Sequence, residues 1–261
     1  MGLFFRRRKK PGANPATPAS RKGEAKPGAA SAARPATDTH ILHTFDEALG
    51  GLVAKTIEMG GHVTRMARRC GPAFWERDAA AAKEIIQADG AVDKQKDAVM
   101  AATVEALARH RPVASDLRLI LAAEHIAGNL ERAADHAKNI AKRTLSLSAS
   151  FNLDPAMRDL LTRLHRAVCL NFENALRAFE RGDTQLAAEV LRRDSEPDAL
   201  YDDLFHAVIA KLQAGKSDPT LDVQALFVGK SLERIGDHAT NIAEEVRFLA
   251  RGDIPPATRK S

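Results

Sequence analysis

Pairs of carboxylates recur along this sequence at a spacing of four residues. Glu131 and Asp135 form one pair, and Glu233 and Asp237 form another. On a helix, side chains four positions apart lie on the same face, one turn apart. Two like charges at this spacing destabilise a bare helix by about 0.2–0.5 kcal/mol. A hard divalent cation would offset that repulsion, because all-oxygen ligand sets suit Mg²⁺, Mn²⁺, Ca²⁺ or iron.

A further acidic pair with the same spacing precedes each of these two: Asp89 and Asp93 in the first half of the chain, and Asp194 and Asp198 in the second half. With them, each half of the sequence offers four carboxylates on two neighbouring helices. The predicted metal ligands are therefore Asp89, Asp93, Glu131, Asp135, Asp194, Asp198, Glu233 and Asp237. A histidine follows the last acid of each third-helix motif, and an asparagine comes three residues later. These side chains are predicted to support the ligands by hydrogen bonding or to ligate themselves: His136, Asn139, His238 and Asn241.

The alternative interpretation of each acidic pair is an ordinary solvated helix face. Arg132, Lys138 and Lys142 could neutralise the pair at 131 and 135. In the second copy of the motif, however, Thr240 stands where the first has Lys138, and Glu244 stands where it has Lys142. The acids recur while these two lysines do not, which favours a ligand site over a solvated face for the four pairs taken together.

An internal repeat organises the body of the chain. Residues 131–141 recur at 233–243 with eight of eleven positions identical, and the Asp89 pair recurs 105 residues later at Asp194. Repeated motifs at this distance indicate two copies of one structural unit. We expect a basic arm, a first three-helix repeat, a second three-helix repeat and a short tail, at residues 1–38, 39–149, 150–252 and 253–261.

The composition favours an all-α protein. Only 5% of the residues are aromatic, and the chain is rich in good helix formers such as Ala, Leu, Arg and Glu. Gly and Pro divide it into six predicted helices joined by short turns, as in antiparallel bundles. The first helix is expected to end at Gly71-Pro72, the fourth to run from Asp154-Pro155 to Gly182, and the fifth to run from Asp183 to about Gln213. No run of 18 apolar residues occurs, so no transmembrane helix is predicted.

The positive charge is concentrated at the N-terminus. Residues 1–39 carry a net charge of +7, whereas the remainder carries −2. A slightly acidic body argues against a specific nucleic-acid partner. Residues 1–38 are predicted to be disordered, and their Leu3-Phe4-Phe5 start before five basic residues could make weak contact with an anionic membrane surface. The alternative is a solvated tail with no specific partner.

No catalytic machinery is recognisable in the sequence. The Glu-x-x-His spacing of diiron bundles does not occur. Neither a nucleophile elbow nor a phosphate-binding glycine loop is found. The sequence therefore predicts a binding or regulatory protein, without catalytic residues, rather than an enzyme.

Three stretches, 111–118, 130–141 and 232–246, resemble the PhoU family, the accessory regulators of high-affinity phosphate transport. The last of them, LERIGDHATNIAEEV, is close to that family's most typical motif. The resemblance covers about residues 40–250. This chain departs from the family in its long basic arm and in Ala133-Ala134, where Ile-Gly is usual.

The resemblance implies two pseudo-symmetric three-helix bundles with metal clusters on the acidic pairs identified above. The metal would be divalent, with iron, manganese, magnesium and zinc all left open. The resemblance also implies cytoplasmic homodimers that restrain the phosphate-starvation response. The basic arm adds the expectation of a location peripheral to the inner membrane. Their expected partners are the phosphate transporter's ATPase and a membrane sensor histidine kinase. The alternative function is metal or polyphosphate handling on the same fold.

Overall fold

The computed structural model describes residues 36–110, 112–147, 152–215 and 219–251, with the backbone alone at 36–43 and 251. The predicted arm, apart from its last three residues, and the predicted C-terminal tail lie outside these ranges. The described residues form seven helices and no strands: α1 (Ala36–Trp75), α2 (Ala79–Arg109), α3 (Ala114–Leu145), α4 (Pro155–Arg181), α5 (Thr184–Arg192), α6 (Ser195–Gln213) and α7 (Pro219–Arg251). The all-α prediction is confirmed.

The helices pack as two groups joined by equivalent members. Helices α1, α2 and α3 contact one another, and α4 packs against α5, α6 and α7. Across the two groups, α3 packs along α7 and α1 contacts α4. Because α3 and α7 carry the repeated motif, the contact between the groups is made by the same segment from each copy. We call the α3–α7 contact the seam.

Small side chains allow α3 to pack closely on several sides. Its fully or almost fully buried residues include Ala123, Ala133, Ala134, Ala137 and Ala141. Larger apolar residues fill the remaining core positions of this helix and of α7: Leu119, Ile120, Ile126, Leu130, Ile140, Val228, Leu232, Ile235, Ile242 and Val246. Ala133 and Ala134, which depart from the usual family residues, therefore lie in the core.

The predicted end of the first helix is wrong. Helix α1 continues through Gly71 and Pro72 to Trp75. Ala73 and Phe74 are buried directly after the proline, so burial of this last turn outweighs the missing proline N–H. Gly71 provides space rather than a stop, since a Cβ there would lie 2.5 Å from the Trp75 ring and 2.8 Å from the His165 ring.

The predicted fifth helix is also wrong, because the chain breaks it into α5 and α6 at Arg193 and Asp194. Pro197 has no N–H to donate to the Arg193 carbonyl four residues earlier, and its ring would clash with that carbonyl. The Arg193 carbonyl instead accepts from the Glu196 N–H at 3.1 Å. The second half therefore has two helices where the first has α2 alone.

Helix ends marked by capping residues agree with the sequence. The Asp154 carboxylate caps α4 by accepting from the Ala156 and Met157 N–H groups. Gly182 ends the same helix in the left-handed conformation at φ 64°, which glycine adopts at little cost. The Asp183 carboxylate then caps α5 by accepting from two backbone N–H groups at 3.0 Å each.

We expect Asp183→Ala to lower the free energy of unfolding by about 1 kcal/mol, because it leaves two backbone donors of α5 without their side-chain acceptor. Urea denaturation measures this change. Asp159→Ala is the matched control: Asp159 is exposed on α4 and its carboxylate lies 3.9 Å from Arg163, so its loss should change stability by about 0.5 kcal/mol or less. Equal losses in the two variants would contradict the capping role.

Candidate metal centre

Helix pairing brings the predicted ligands together in each half. In the first half, α2 carries Asp89 and Asp93, and it packs against α3, which carries Glu131 and Asp135. In the second half, α6 packs against α7 in the equivalent way. We call the resulting groups of carboxylates the first and second acidic clusters. The first comprises residues 89, 93, 131 and 135; the second comprises residues 194, 198, 233 and 237.

A lysine of the chain itself compensates the first acidic cluster. The Lys138 ammonium lies 2.6 Å from Asp89 Oδ2 and 2.5 Å from Asp135 Oδ1. Hydrogen bonds to Asp135 and Asp89 raise the pKa of Lys138, so this ammonium remains charged near neutral pH. Glu131 Oε2 is paired in turn with Lys96 at 3.1 Å. The position between α2 and α3 where a cation would bridge two carboxylates therefore already holds a positive charge.

Asp93 lies at the edge of the first cluster and is exposed. Desolvation, followed by the negative charge of Asp89, raises the pKa of Asp93, and Lys138 opposes this rise. The carboxylate repulsion predicted from the i, i+4 spacing is therefore present and is only partly offset by the lysine.

The second acidic cluster is more open to a cation. One carboxylate oxygen from each of Asp198, Glu233 and Asp237 lies within 4.8 Å of the others. The fourth predicted member, Asp194, precedes α6 and accepts a hydrogen bond from Thr240 Oγ1 at 2.7 Å. The structure thus brings three of the four predicted residues into one triad and places Asp194 beside Thr240.

Two basic side chains of α7 contact this triad. Lys230 Nζ donates to Glu233 Oε1 at 2.9 Å and lies 2.8 Å from Oε2. Oε2 is nevertheless buried and has no hydrogen-bond partner among the described residues. Arg234 donates to Asp237 Oδ2 at 3.3 Å. Both bases contact acids of their own helix α7, whereas Lys138 of the first cluster also reaches Asp89 on the neighbouring helix α2.

The pKa of Asp237 shows that the negative charge of the triad is only partly neutralised. Burial, followed by the charge of Glu233, raises its pKa to about 6, and Asp194 and Asp198 add to the rise while Arg234 opposes it. Three carboxylates with oxygens this close, one of them buried and incompletely hydrogen-bonded, fit a hard divalent cation that accepts oxygen ligands. The triad is therefore the part of the predicted ligand set that best fits a metal ion.

The predicted supporting residues face the seam rather than the carboxylates. The rings of His136 and His238 stack across it, with centroids 5.8 Å apart. His238 Nδ1 lies 3.0 Å from Asn129 Oδ1, and that oxygen also accepts from Asn241 Nδ2 at 3.0 Å. Asn139 lines a cleft on the same seam. Burial, followed by the charges of His136 and nearby arginines, lowers the pKa of His238 to about 4, so His238 is neutral near pH 7.

Several contacts at the site could not be predicted from the sequence, because they depend on how the helices pack. Asn129 has Ser231 as its counterpart in the second copy, so the repeat gave no signal for its role at the seam. The sequence likewise carries no signal that marks Lys96 or Lys230 as contacts of the acidic clusters. Lys138 was noted as a neutraliser of Asp135, but its contact with Asp89 depends on how α2 packs against α3.

The comparisons with known proteins decide the family. A sequence model of the PhoU domain matches residues 56–144 and again residues 161–246. The chain belongs to the PhoU family. The two matches fall on α1–α3 and on α4–α7, so the repeat found in the sequence corresponds to two PhoU domains.

Related PhoU proteins match most of this chain. One from Zymomonas mobilis, named phosphate-specific transport system accessory protein PhoU homolog, is 35% identical over 84% of this chain and 92% of its own length. One of the same name from Rhizobium meliloti is 32% identical over the same shares. These names describe accessory proteins, which agrees with the prediction that the chain is not an enzyme.

Solved PhoU structures share the fold. The crystal structure of PhoU from Pseudomonas aeruginosa superposes with a TM-score of 0.77 at 29% identity, over 80% of this chain and all of that one. PhoU from Streptococcus pneumoniae gives 0.74 at 26% identity, over 80% of this chain and 98% of that one. Across the described residues of this chain, every helix is too short or too polar to cross a membrane.

We expect Asp237→Asn to change the pH dependence of stability in chelator-treated protein. The folded-state pKa of about 6 lies above the ordinary value of 3.8, so between these values the folded chain holds a proton that the unfolded chain has released. Asp237 therefore makes the wild type less stable as pH rises through this window. The asparagine variant should lose this slope and be the more stable protein at pH 7.

Urea midpoints from pH 3.5 to 7.5 measure the slope. Asp202→Asn, which changes an exposed carboxylate of α6, is the matched control and should retain the wild-type slope. If Asp237→Asn retained the wild-type slope of stability against pH, as the control does, the raised pKa of Asp237 would be refuted.

Proposed function

We propose that this PhoU-family chain regulates phosphate uptake and the phosphate-starvation response. The observation that carries the proposal is the twofold match to the PhoU domain, together with relatives named as accessory proteins of the phosphate-specific transport system. In this role the chain acts as an adaptor between the transporter's ATPase and a membrane sensor histidine kinase, and it restrains the response when phosphate is plentiful.

We further propose that the second acidic cluster binds a divalent metal ion through Asp198, Glu233 and Asp237. The spacing of their oxygens and the burial of Glu233 support this assignment. When bound, the cation supplies positive charge that links α6 to α7. The chain's own residues fix the geometry: Glu233 and Asp237 lie one turn apart on α7, and Asp198 faces them from α6.

The first acidic cluster is proposed to be the weaker site. Its four carboxylates remain candidate ligands, but a metal ion must compete there with the Lys138 ammonium that contacts both Asp89 and Asp135. In the second cluster the equivalent position is occupied by the neutral Thr240. This difference predicts unequal metal affinity in two sites that the repeat would otherwise make alike.

The setting proposed for this function is a cytoplasmic homodimer at the inner membrane. The N-terminal arm, whose residues 1–35 lie outside the described ranges, would raise the local concentration near membrane-bound partners. Its basic residues contribute about 1 kcal/mol each near an anionic surface, screened beyond about 8–10 Å. Metal or polyphosphate handling is the alternative function, and the next experiment separates it from regulation.

We expect the variant Glu233→Ala/Asp237→Ala to lose metal and regulatory function together. Elemental analysis after purification without chelator measures the metal. A phosphate-regulon reporter in cells whose own copy is replaced measures regulation, and the reporter should be expressed at high phosphate. Helicity should be retained, because alanine is a good helix former and a like-charge repulsion disappears.

The control for this experiment is Asp202→Ala/Asp203→Ala, which also removes two negative charges but from exposed positions on α6. It should bind metal and repress the reporter as the wild type does. Unchanged metal content in Glu233→Ala/Asp237→Ala would show that these acids are ordinary charged surface residues and not metal ligands. The regulatory role would be refuted if the reporter stayed silent at high phosphate in cells that lack the gene for this chain.

We expect Lys138→Thr to increase the metal-to-protein ratio, because it gives the first cluster the residue that the second cluster has. The same variant should be less stable in chelator, since Asp89 is buried and loses its ammonium partner. Lys83→Thr, on an exposed position of α2, serves as the control and should change neither quantity. A ratio that stays at the wild-type value in saturating metal would show that Lys138 is not what excludes the ion.

A further inference from the structure

A basic cleft opens on the seam at the C-terminal end of α3. Its volume is about 710 Å³, within the range of cavities that hold small molecules. Four cationic residues line it, Lys142 and Arg143 from α3 and Lys230 and Arg234 from α7. No carboxylate lines it within the part of the chain that the structure describes. Positive charge therefore faces the cleft from both helices.

The two α3 cations form no ion pair with an acid among the described residues. Arg143 donates to the uncharged Gln224 Oε1 at 3.0 Å, and its guanidinium lies 4.1 Å over the Phe227 ring. Burial lowers the pKa of Arg143 and no acid counteracts that effect. Lys142 is exposed and makes no ion pair among the described residues. These two charges thus remain available to an anion, while Lys230 and Arg234 are shared with the second acidic cluster.

The internal repeat shows that this surface is particular to one end of the seam. Lys142 and Arg143 correspond, at the offset of 102 residues, to Glu244 and Glu245. At that other end Glu245 faces His125, with 3.0 Å between Oε1 and Nδ1. The two copies therefore carry opposite charges at equivalent positions, although they preserve the acidic motif itself.

A second difference keeps the basic end open. At the acidic end, Asn129 bridges the helices through its contacts with His238 and Asn241. Its counterpart at the basic end is Ser231, whose hydroxyl donates to the Phe227 carbonyl on its own helix at 2.9 Å. Ser231 therefore does not make the bridge that Asn129 makes, and the space beside His136 is part of the cleft.

We infer that the basic cleft binds an anion that carries two or more phosphoryl groups. Its cations stand on two opposing helices, so a single small oxyanion would leave much of the cleft and of its charge unused. Arginine forks and lysine point charges both suit phosphoryl oxygens. Inorganic oligophosphates and nucleoside polyphosphates share this chemistry, and the Phe227 and His136 rings in the lining offer stacking surfaces only to the second.

Isothermal titration of the full-length chain with inorganic tripolyphosphate tests the inference in metal-free buffer at 150 mM salt. Lys142→Glu/Arg143→Glu, which installs the residues of the other copy, should weaken binding about tenfold or more, since charge-assisted hydrogen bonds are the strong ones. Lys83→Glu/Arg177→Glu makes the same change in charge at exposed positions outside the cleft. This control should bind as the wild type does, and circular dichroism should show all three proteins folded.

Titration with further ligands identifies which class of anion the basic cleft binds. Tighter binding of ATP than of tripolyphosphate would assign the cleft to nucleotides, and the reverse would assign it to inorganic oligophosphate. A glutamate peptide of matched charge should bind more weakly than either. The inference is overturned if that peptide binds equally well, if both double variants lose affinity equally, or if binding survives Lys142→Glu/Arg143→Glu, which would assign it to the basic arm.

Metal content of the same variant separates this inference from the proposed metal centre. Neither Lys142 nor Arg143 belongs to an acidic cluster, so Lys142→Glu/Arg143→Glu should retain the wild-type metal content while losing the anion. Loss of metal together with the anion would mean that the substitutions disturb α3 as a whole, and it would overturn a separate anion site.

Discussion

The close packing of α3 against α7 is the contact on which the rest of this molecule depends. Each of these helices carries one copy of the repeated motif, and each lies at the centre of its own group of helices. Alanines on the buried face of α3, with Ala239 and Ala243 on α7, allow this packing. The same two helices carry four of the eight residues of the acidic clusters. The contact that joins the two repeats therefore also fixes the helices on which each acidic cluster is built.

Repulsion between carboxylates is resolved differently in the two repeats. In the first, Lys138 reaches across from α3 to Asp89 on α2 and supplies a permanent positive charge. In the second, Thr240 offers Asp194 only a hydroxyl, and Lys230 and Arg234 of α7 contact Glu233 and Asp237. A duplicated unit has thus diverged into one internally compensated cluster and one that an external cation would stabilise.

Opposite charges distinguish the two ends of the seam in the same way. Lys142 and Arg143 on one side correspond to Glu244 and Glu245 on the other. A fold with near-equivalent halves therefore presents unlike surfaces at its two ends. Such asymmetry allows a single chain to contact an anion at one end without offering a second equivalent site.

Local patterns in the sequence predicted much of this architecture. The start of α4 at Asp154-Pro155 and its end at Gly182 depend on residues close in sequence, and both agree with the structure. The break before α6 was also encoded locally, by Pro197, but the length of the surrounding helical pattern concealed it. At Gly71-Pro72 the error was the opposite one, because burial of Ala73 and Phe74 keeps the chain helical beyond a local stop signal.

The charges at the site were harder to predict because they depend on contacts between helices. The sequence placed four acids in each half but could not tell which of them a basic residue would reach. Whether Lys138 extends into solvent or toward Asp89 is decided by the packing of α2 on α3. The bridging role of Asn129 likewise arises only where α3 meets α7.

Anomalous diffraction from crystals of the purified protein soaked in Mn²⁺, recorded at the manganese absorption edge, tests the unequal clusters most directly. We predict a peak among the carboxylates of Asp198, Glu233 and Asp237, with a weaker peak or none between Asp89 and Asp135. Peaks of equal height in the two clusters, or a peak only in the first, would contradict the account.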